Sequence, residues 1–314
     1  MRRYDLALFL KLNDEWKDRP LVPRSRTVDD PAQLAAQARK RAETVLKHVR
    51  LDGARVLEIG CGRGQFVRVI ADEYGSLAMG LDVKRYPEWG EDPRFIEADI
   101  ADPPDLGEFD VIVSHAVWEH LQHPYASLVN QRDLLAPDGI VYFYANLYRG
   151  AKASHRYRDV HFPWPHLLFT DDVFEAFHER LGVGPRRAAW VNKLTYAQYV
   201  DHFERIGYGI ERVWPSAPWF DEPFYRDHWE ILGRYPKWDL QHDFIHAVLT
   251  REPGVGQKRD TSHARTADAA AAALRTRIRR MEASTSWRIT APFRSVHRVL
   301  RRAIRGTRGP RKRR

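Results

Sequence analysis

This chain predicts an α/β fold, a parallel sheet flanked by helices, and three observations predict it. The apolar run Val56-Leu57 passes through Glu58 and Ile59 into glycines at 60, 62 and 64, and an amphipathic segment follows. Strand-like and helix-like patterns then alternate as far as residue 146. A second apolar run, Leu77-Ala78-Met79-Gly80-Leu81, also ends on an acid, Asp82. Alternation of this kind implies parallel strands joined by helical crossovers.

Each element has its own reason. Residues 1–50 read as a helical segment, because Leu34, Ala38, Ala42, Val45, Leu46 and Val49 recur at helical spacing. Such a helix either covers a cofactor pocket or simply packs. Strands are expected at 55–60, 77–83, 94–98, 109–114 and 139–146, with helices at 64–74 and 117–135. Two more helices are expected at 170–181 and 195–206, where Thr170 and Thr195 stand as N-caps. Runs at 209–214 and 244–250 are strand-like. Between them, 215–243 is rich in Trp, Tyr, Phe and Pro, as substrate-contacting insertions often are. Residues 51–252 therefore form the sheet domain. Pro253-Gly254-Val255-Gly256 opens a linker at 253–263. A basic amphipathic helical tail occupies 264–314, with Phe293, Val296, Leu300 and Ile304 on one face opposed by arginines.

Composition narrows the function classes. One cysteine, Cys61, excludes an intrachain disulfide and fits a reducing cytoplasm. No apolar run reaches the roughly 18 residues that span a bilayer. The run Leu6–Leu10 is too short for a signal peptide and is interrupted by Lys11. The net charge of +9 is unevenly spread. Residues 251–314 hold 19 Lys/Arg against 4 Asp/Glu, whereas the rest holds 32 against 38. A basic tail on a mildly acidic body suggests phosphates, of lipid headgroups or of nucleic acid.

Glycines lack Cβ atoms, so the backbone at 60, 62 and 64 can approach a ligand closely. Their spacing, Glu-x-Gly-x-Gly-x-Gly, differs from the dinucleotide fingerprint. It resembles motif I of class I S-adenosylmethionine-dependent methyltransferases. The resemblance covers about residues 50–250, is closest to the methyltransferase type 11 group, and implies a Rossmann-like class I methyltransferase sheet. It implies S-adenosylmethionine as the cofactor, with its methionine portion at Gly60, Cys61, Gly62 and Gly64 and its ammonium near Glu58. Asp82 suits a ribose diol, since a carboxylate accepts two strong hydrogen bonds. A dinucleotide fold would use the same acid. Asp99 matches the family position that takes the adenine amino group, and Val83, Ile100 and Ser114 flank the same cofactor. The turn Ala136-Pro137-Asp138-Gly139 matches the one before the family's fifth strand.

Methylating a hydroxyl benefits from a general base, and histidine suits neutral pH. His115, which follows the fourth strand, is one candidate, and His161 and His166 are the others, with His161 placed first. His155 lies in the same stretch, and His120 reads as structural. A metal is the alternative: small-RNA methyltransferases use Glu-x-x-Glu-His plus a later His, and Glu119, His120 and His161 match three of those positions. Ala116 replaces the first glutamate, so no metal is assigned. The tail run Ser284-x-Ser286-Trp287-Arg288-x-Thr290-x-Pro292-Phe293-Arg294 resembles a motif of bacterial surface-polysaccharide enzymes. It implies a sugar or glycan acceptor. The partners it implies are an anionic membrane surface or polysaccharide-assembly proteins, with the chain peripheral on the inner face of the plasma membrane. The aromatic residues of 214–229 are then candidates for sugar stacking. A nucleic-acid methyltransferase, one acting on another small molecule, and a non-catalytic scaffold remain as other readings. The acidic body argues against nucleic acid.

Overall fold

The computed structural model describes residues 3–18, 30–151, 160–182 and 190–253. The chain divides into two units, Met1–Arg259 and Asp260–Arg314. The second unit, the expected helical tail, nearly all of the expected linker and His155 lie outside the described residues.

Seven strands form one sheet: β1 (Arg55–Ile59), β2 (Leu77–Asp82), β3 (Phe95–Glu97), β4 (Phe109–His115), β5 (Leu135–Asn146), β6 (Gly209–Pro218) and β7 (His242–Thr250). Their order is β3-β2-β1-β4-β5-β7-β6. The first five are parallel, and β7 runs antiparallel to both β5 and β6. The expected fold class holds, and the two strand-like runs at 209–214 and 244–250 form an antiparallel pair at its end. Because β1 and β4 lie side by side at the centre, their carboxyl ends open one shared crevice, where ligands bind in such sheets.

Helices α1 (Leu6–Glu15), α2 (Pro31–Leu46) and α3 (Gln65–Tyr74) precede α4 (Pro124–Asp133). Then come α5 (Pro165–Leu168), α6 (Asp171–Arg180) and α7 (Tyr196–Ile206), followed by α8 (Glu222–Asp227), α9 (Trp229–Leu232) and α10 (Lys237–Leu240). Helix α7 starts with a reciprocal capping box between Thr195 and Gln198. Thr170 occupies the N-cap of α6 but makes no side-chain cap bond. The helix expected over 117–135 is shorter, because Pro124 can only open a helix and holds residue 123 out of the helical region. Residues 118–120 form a single 3-10 turn instead. Strand β5 starts at Leu135, earlier than expected, and its pairing with β4 shifts register between Phe109 and Val111.

Two of the apolar clusters among the described residues bear on the site. One lies between the sheet and helices α2 and α3, around Val56, Phe66, Ile70 and Val113. The other gathers α1, α5, α6, α8 and the loops near them. At its centre Phe9 meets Phe162, Phe169, Phe174 and Phe177, with ring centroids 4.7 to 5.2 Å apart. Phe224 and Tyr225, two of the candidate stacking residues, are buried here. Trp219 and Phe220 also pack against this core. These four are therefore spent on packing, whereas Trp229 is exposed and Trp214 stands on β6.

Phe9 is fully buried, so Phe9→Ala should cost about 3–5 kcal/mol, partly as a cavity. Chemical denaturation followed by near-UV circular dichroism would measure the loss.

Candidate active site

The turn after β1 is built from three residues in left-handed backbone. Gly60, Gly62 and Gly64 have φ of 72°, 51° and 81°, values an L side chain adopts only at a cost. At Gly60 an added Cβ would come within 2.3 Å of Val117, and at Gly64 within 2.4 Å of Phe95. At Gly62 nothing lies within 4 Å. The outer glycines are pressed by protein, and the middle one faces open space.

Strand β2 holds this turn in place. The N–H of Gly60 donates to the Leu81 carbonyl at 2.7 Å, and that of Gly62 donates to Asp82 Oδ2 at 2.9 Å. Asp82 Oδ1 accepts from Lys84 N–H at 3.1 Å. A collar closes the outside. Trp89 Nε1 donates to the Gly62 carbonyl at 2.8 Å and stacks on Phe95, and the Arg68 guanidinium lies 4.7 Å over the Phe95 ring. The sequence reading missed Trp89, Phe95 and Arg68; only the closure of the loop onto them makes them visible. The Cys61 side chain packs inward against Gly80, and burial raises its thiol pKa, so it stays protonated.

Beyond β2, Val83 is a large apolar residue left 63% exposed. Asp99 is exposed, and its Oδ1 accepts from Ala101 N–H at 2.9 Å. Asn130 Nδ2 donates to the carbonyls of Ile100 and Ala101 and pins that turn. Ser114 is fully buried, and its Oγ accepts from Trp118 Nε1 at 2.6 Å.

Glu58 and His115 meet at the carboxyl ends of β1 and β4, Oε1 to Nδ1 being 3.7 Å. Glu58 Oε2 and both His115 ring nitrogens are buried without a hydrogen-bond partner. Burial pushes the Glu58 carboxyl up to about 8; Arg41 opposes the rise and Asp82 adds to it. Burial, helped by Arg41 and His246, pushes His115 down to about 3. The pair therefore holds its proton on Glu58, and His115 is neutral. Ala116 follows at φ 55°, a left-handed alanine that turns the chain so that Val117 reaches Gly60.

The other histidines lie elsewhere. His161 sits between Val160 and Phe162 of the second core, and its backbone N–H donates to Asn13 Oδ1 at 2.7 Å. His166 Nε2–H donates to the Tyr148 carbonyl at 2.6 Å, and its ring meets Tyr148 edge-on. The structure thus brings Glu58, Gly60, Gly62, Asp82 and His115 together. Glu119 Oε1 lies 4.0 Å from His120 Nε2. Among the described residues no group of three His, Cys, Asp or Glu is placed to hold a metal ion.

S-adenosylmethionine fits what is present. An orphaned buried carboxylate suits an ammonium, and the open face of Gly62 admits a ligand. The acid that ends β2, with apolar Val83 beside it, suits a ribose and a base.

Comparison with known proteins agrees. Residues 30–180 match a family described as a methyltransferase domain. That stretch is a methyltransferase domain, with S-adenosylmethionine as its cofactor. A ubiquinone biosynthesis O-methyltransferase of Neisseria meningitidis serogroup C is 27% identical over 151 residues, covering 44% of this chain and 60% of that protein. A tRNA U34 carboxymethyltransferase of Aeromonas salmonicida is 28% identical over 109 residues, 31% of this chain and 34% of that protein. The chain thus spans less than two thirds of the curated relatives it matches. A solved S-adenosylmethionine-dependent methyltransferase of Mesorhizobium loti superposes with a TM-score of 0.42 at 19% identity, covering 69% of this chain and 99% of that one.

Because the folded pKa of Glu58 lies above its ordinary value of 4.5, the stability it contributes is full below about 4.5 and is lost as pH rises toward 8. Glu58→Gln should flatten that decline. The Tm advantage of the variant over the parent should grow between pH 5 and pH 8, as read by differential scanning calorimetry.

Proposed function

We propose that the whole chain is an S-adenosylmethionine-dependent methyltransferase that O-methylates a hydroxyl of a sugar in a surface glycan or its precursor. The observation that carries the activity is the turn at 60–64. Its middle glycine is open, and a buried, partnerless carboxylate oxygen stands next to it.

In this reading Glu58 receives the cofactor's ammonium. Arg41, whose charge reaches Glu58, His115 and Tyr144, faces its carboxylate. Asp82 keeps its clasp on Gly62 and offers the remaining lone pairs of its two oxygens to the ribose. Val83 and Ile100 border the adenine, and Asp99 takes its amino group. Cys61, Gly64 and Ser114 shape the backbone around it. When bound, S-adenosylmethionine supplies a methyl group on a sulfonium, which an acceptor oxygen displaces in line. The chain's task is to hold the two reactants in that line and to take the acceptor's proton. Of the three candidate histidines we assign the proton to His115, the one beside Glu58.

The sugar acceptor is supported by the tail run 284–294 and its resemblance to surface-polysaccharide enzymes. The same tail, rich in arginine and with Phe293, Val296, Leu300 and Ile304 at helical spacing, supports attachment to an anionic membrane surface. Transfer of labelled methyl from S-adenosylmethionine to neutral glycosides, with catechol and transfer RNA alongside, tests the acceptor class. Labelling of catechol or transfer RNA alone would overturn it.

Isothermal titration with S-adenosylhomocysteine should show affinity rising about tenfold per pH unit as pH climbs toward 8, since Glu58 must lose its proton to meet the ammonium. Glu58→Gln should abolish that slope and weaken binding. Gly60→Ala, which drives a Cβ into Val117, should cost at least about tenfold in affinity, the loss of roughly one neutral hydrogen bond or more. The full chain should sediment with phosphatidylglycerol vesicles and not with phosphatidylcholine vesicles, and added salt should release it.

A further inference from the structure

The sheet carries a row that no motif announces. Strand register sets His115 of β4 opposite Tyr144 of β5, Tyr144 opposite His246 of β7, and His246 opposite Trp214 of β6. Residues directly opposite each other share a face of the sheet. The ring centroids follow suit: 6.4 Å from His115 to Tyr144, 4.7 Å from Tyr144 to His246 and 5.1 Å from His246 to Trp214. The row therefore runs from the Glu58 contact outward across four strands.

Its outer half is closed on itself. His246 Nδ1 is 3.0 Å from Tyr142 Oη, and its Nε2 is 2.7 Å from Ser216 Oγ. Trp214 lies flat on His246, with Arg212 and His48 packed against it. Both His246 ring nitrogens have a partner. The inner half differs. The Tyr144 hydroxyl makes no hydrogen bond among the described residues, and both His115 nitrogens are unpartnered. Tyr144 is only half-buried, and its ring stacks on half-buried Phe244, centroids 5.0 Å apart. Two neighbouring residues with unspent hydrogen-bonding capacity, at the edge of the donor turn and beside an aromatic pair, have the makings of a subsite for a ring that bears a hydroxyl.

Resting on the methyl-transfer reading above, we propose that Tyr144 orients the acceptor hydroxyl while His115 takes its proton, with the acceptor's ring lying against Tyr144 and Phe244. As the new bond forms between methyl carbon and acceptor oxygen, the carbon–sulfur bond breaks and its electron pair stays on sulfur. The acceptor's proton passes to a ring nitrogen of His115. The positive charge lost from the sulfonium reappears on the imidazolium, so the pocket's net charge does not change. His115 is neutral beforehand, and the burial that keeps it so also makes it a weak base, so the proton moves only as the sulfonium charge is lost.

The test uses the full chain with S-adenosylhomocysteine in a calorimeter and labelled S-adenosylmethionine in a transfer assay, with p-nitrophenyl glycosides of neutral hexoses as acceptor probes. Tyr144→Phe should keep S-adenosylhomocysteine affinity within about twofold and lower kcat at least about tenfold, with little change in KM. Ser216→Ala breaks a bond in the closed outer half, the one to His246 Nε2, so it should lower Tm and leave kcat in place. Unchanged kcat in Tyr144→Phe, or an equal fall in both variants, would overturn the inference while leaving the donor site intact. Failure of the parent to bind S-adenosylhomocysteine would overturn the reading beneath it as well. Binding without transfer to any glycoside would overturn the acceptor subsite.

Discussion

The clasp between the ends of β1 and β2 is the constraint on which the site depends. Gly62 N–H on Asp82 Oδ2 and Gly60 N–H on the Leu81 carbonyl fold the turn back over the second strand. That folding turns Gly62 toward open space and seats Gly60 under Val117. Left-handed backbone at three alternate residues would be costly for any side chain. Asp82 is thus first a brace, and its remaining lone pairs are what it can offer a ligand. Mutating it would disturb the turn and any ribose contact together, so Asp82 variants report less cleanly than Glu58 variants.

The sheet order then decides what stands next to the clasp. With β4 beside β1, Glu58 meets His115. With β5 beside β4, His115 meets Tyr144. Each step takes a residue from one strand end to its neighbour, so a chain of polar groups crosses the sheet without a loop having to be ordered. Sites built on strands hold their geometry better than sites built on loops. The second core, centred on Phe9, ties α1 to α6 and the region after β5. It contains Phe224, which explains why that residue looks like a stacking group in sequence and is buried packing in the fold.

Much of the fold was legible because burial imposes period two on strands and 3.6 on helices. The runs at 55–60 and 77–83, the glycine turn and the acid at Asp82 all announce themselves this way. The helix over 117–135 was overdrawn because apolar spacing continued across Pro124, whose missing N–H outweighs the pattern. The collar of Trp89, Phe95 and Arg68 was not legible, since it depends on how a loop returns. Tyr144 and His246 were hidden for a related reason. Periodicity says that a side chain faces one side of a sheet, whereas register says which residue it faces, and register is a property of two strands.

Unpaired buried polar groups carry the strongest argument about ligands. A buried acceptor without a partner costs about 1–3 kcal/mol, and native folds seldom leave several together. Glu58 Oε2 and both His115 nitrogens are three such atoms within one contact. An apolar pair of the same shape would fold more stably, so this pair destabilises the free protein. A bound cation beside Glu58 would remove the penalty at one end, and a hydroxyl beside His115 would remove it at the other. The two ligands then become thermodynamically linked through a single contact: whichever arrives first deprotonates or orients the pair for the second. With the Glu58 carboxylate committed to the ammonium, the neutral imidazole is the member of the pair left to accept a proton. That property fits an acceptor hydroxyl, which must lose a proton, better than an amine that already carries a free lone pair.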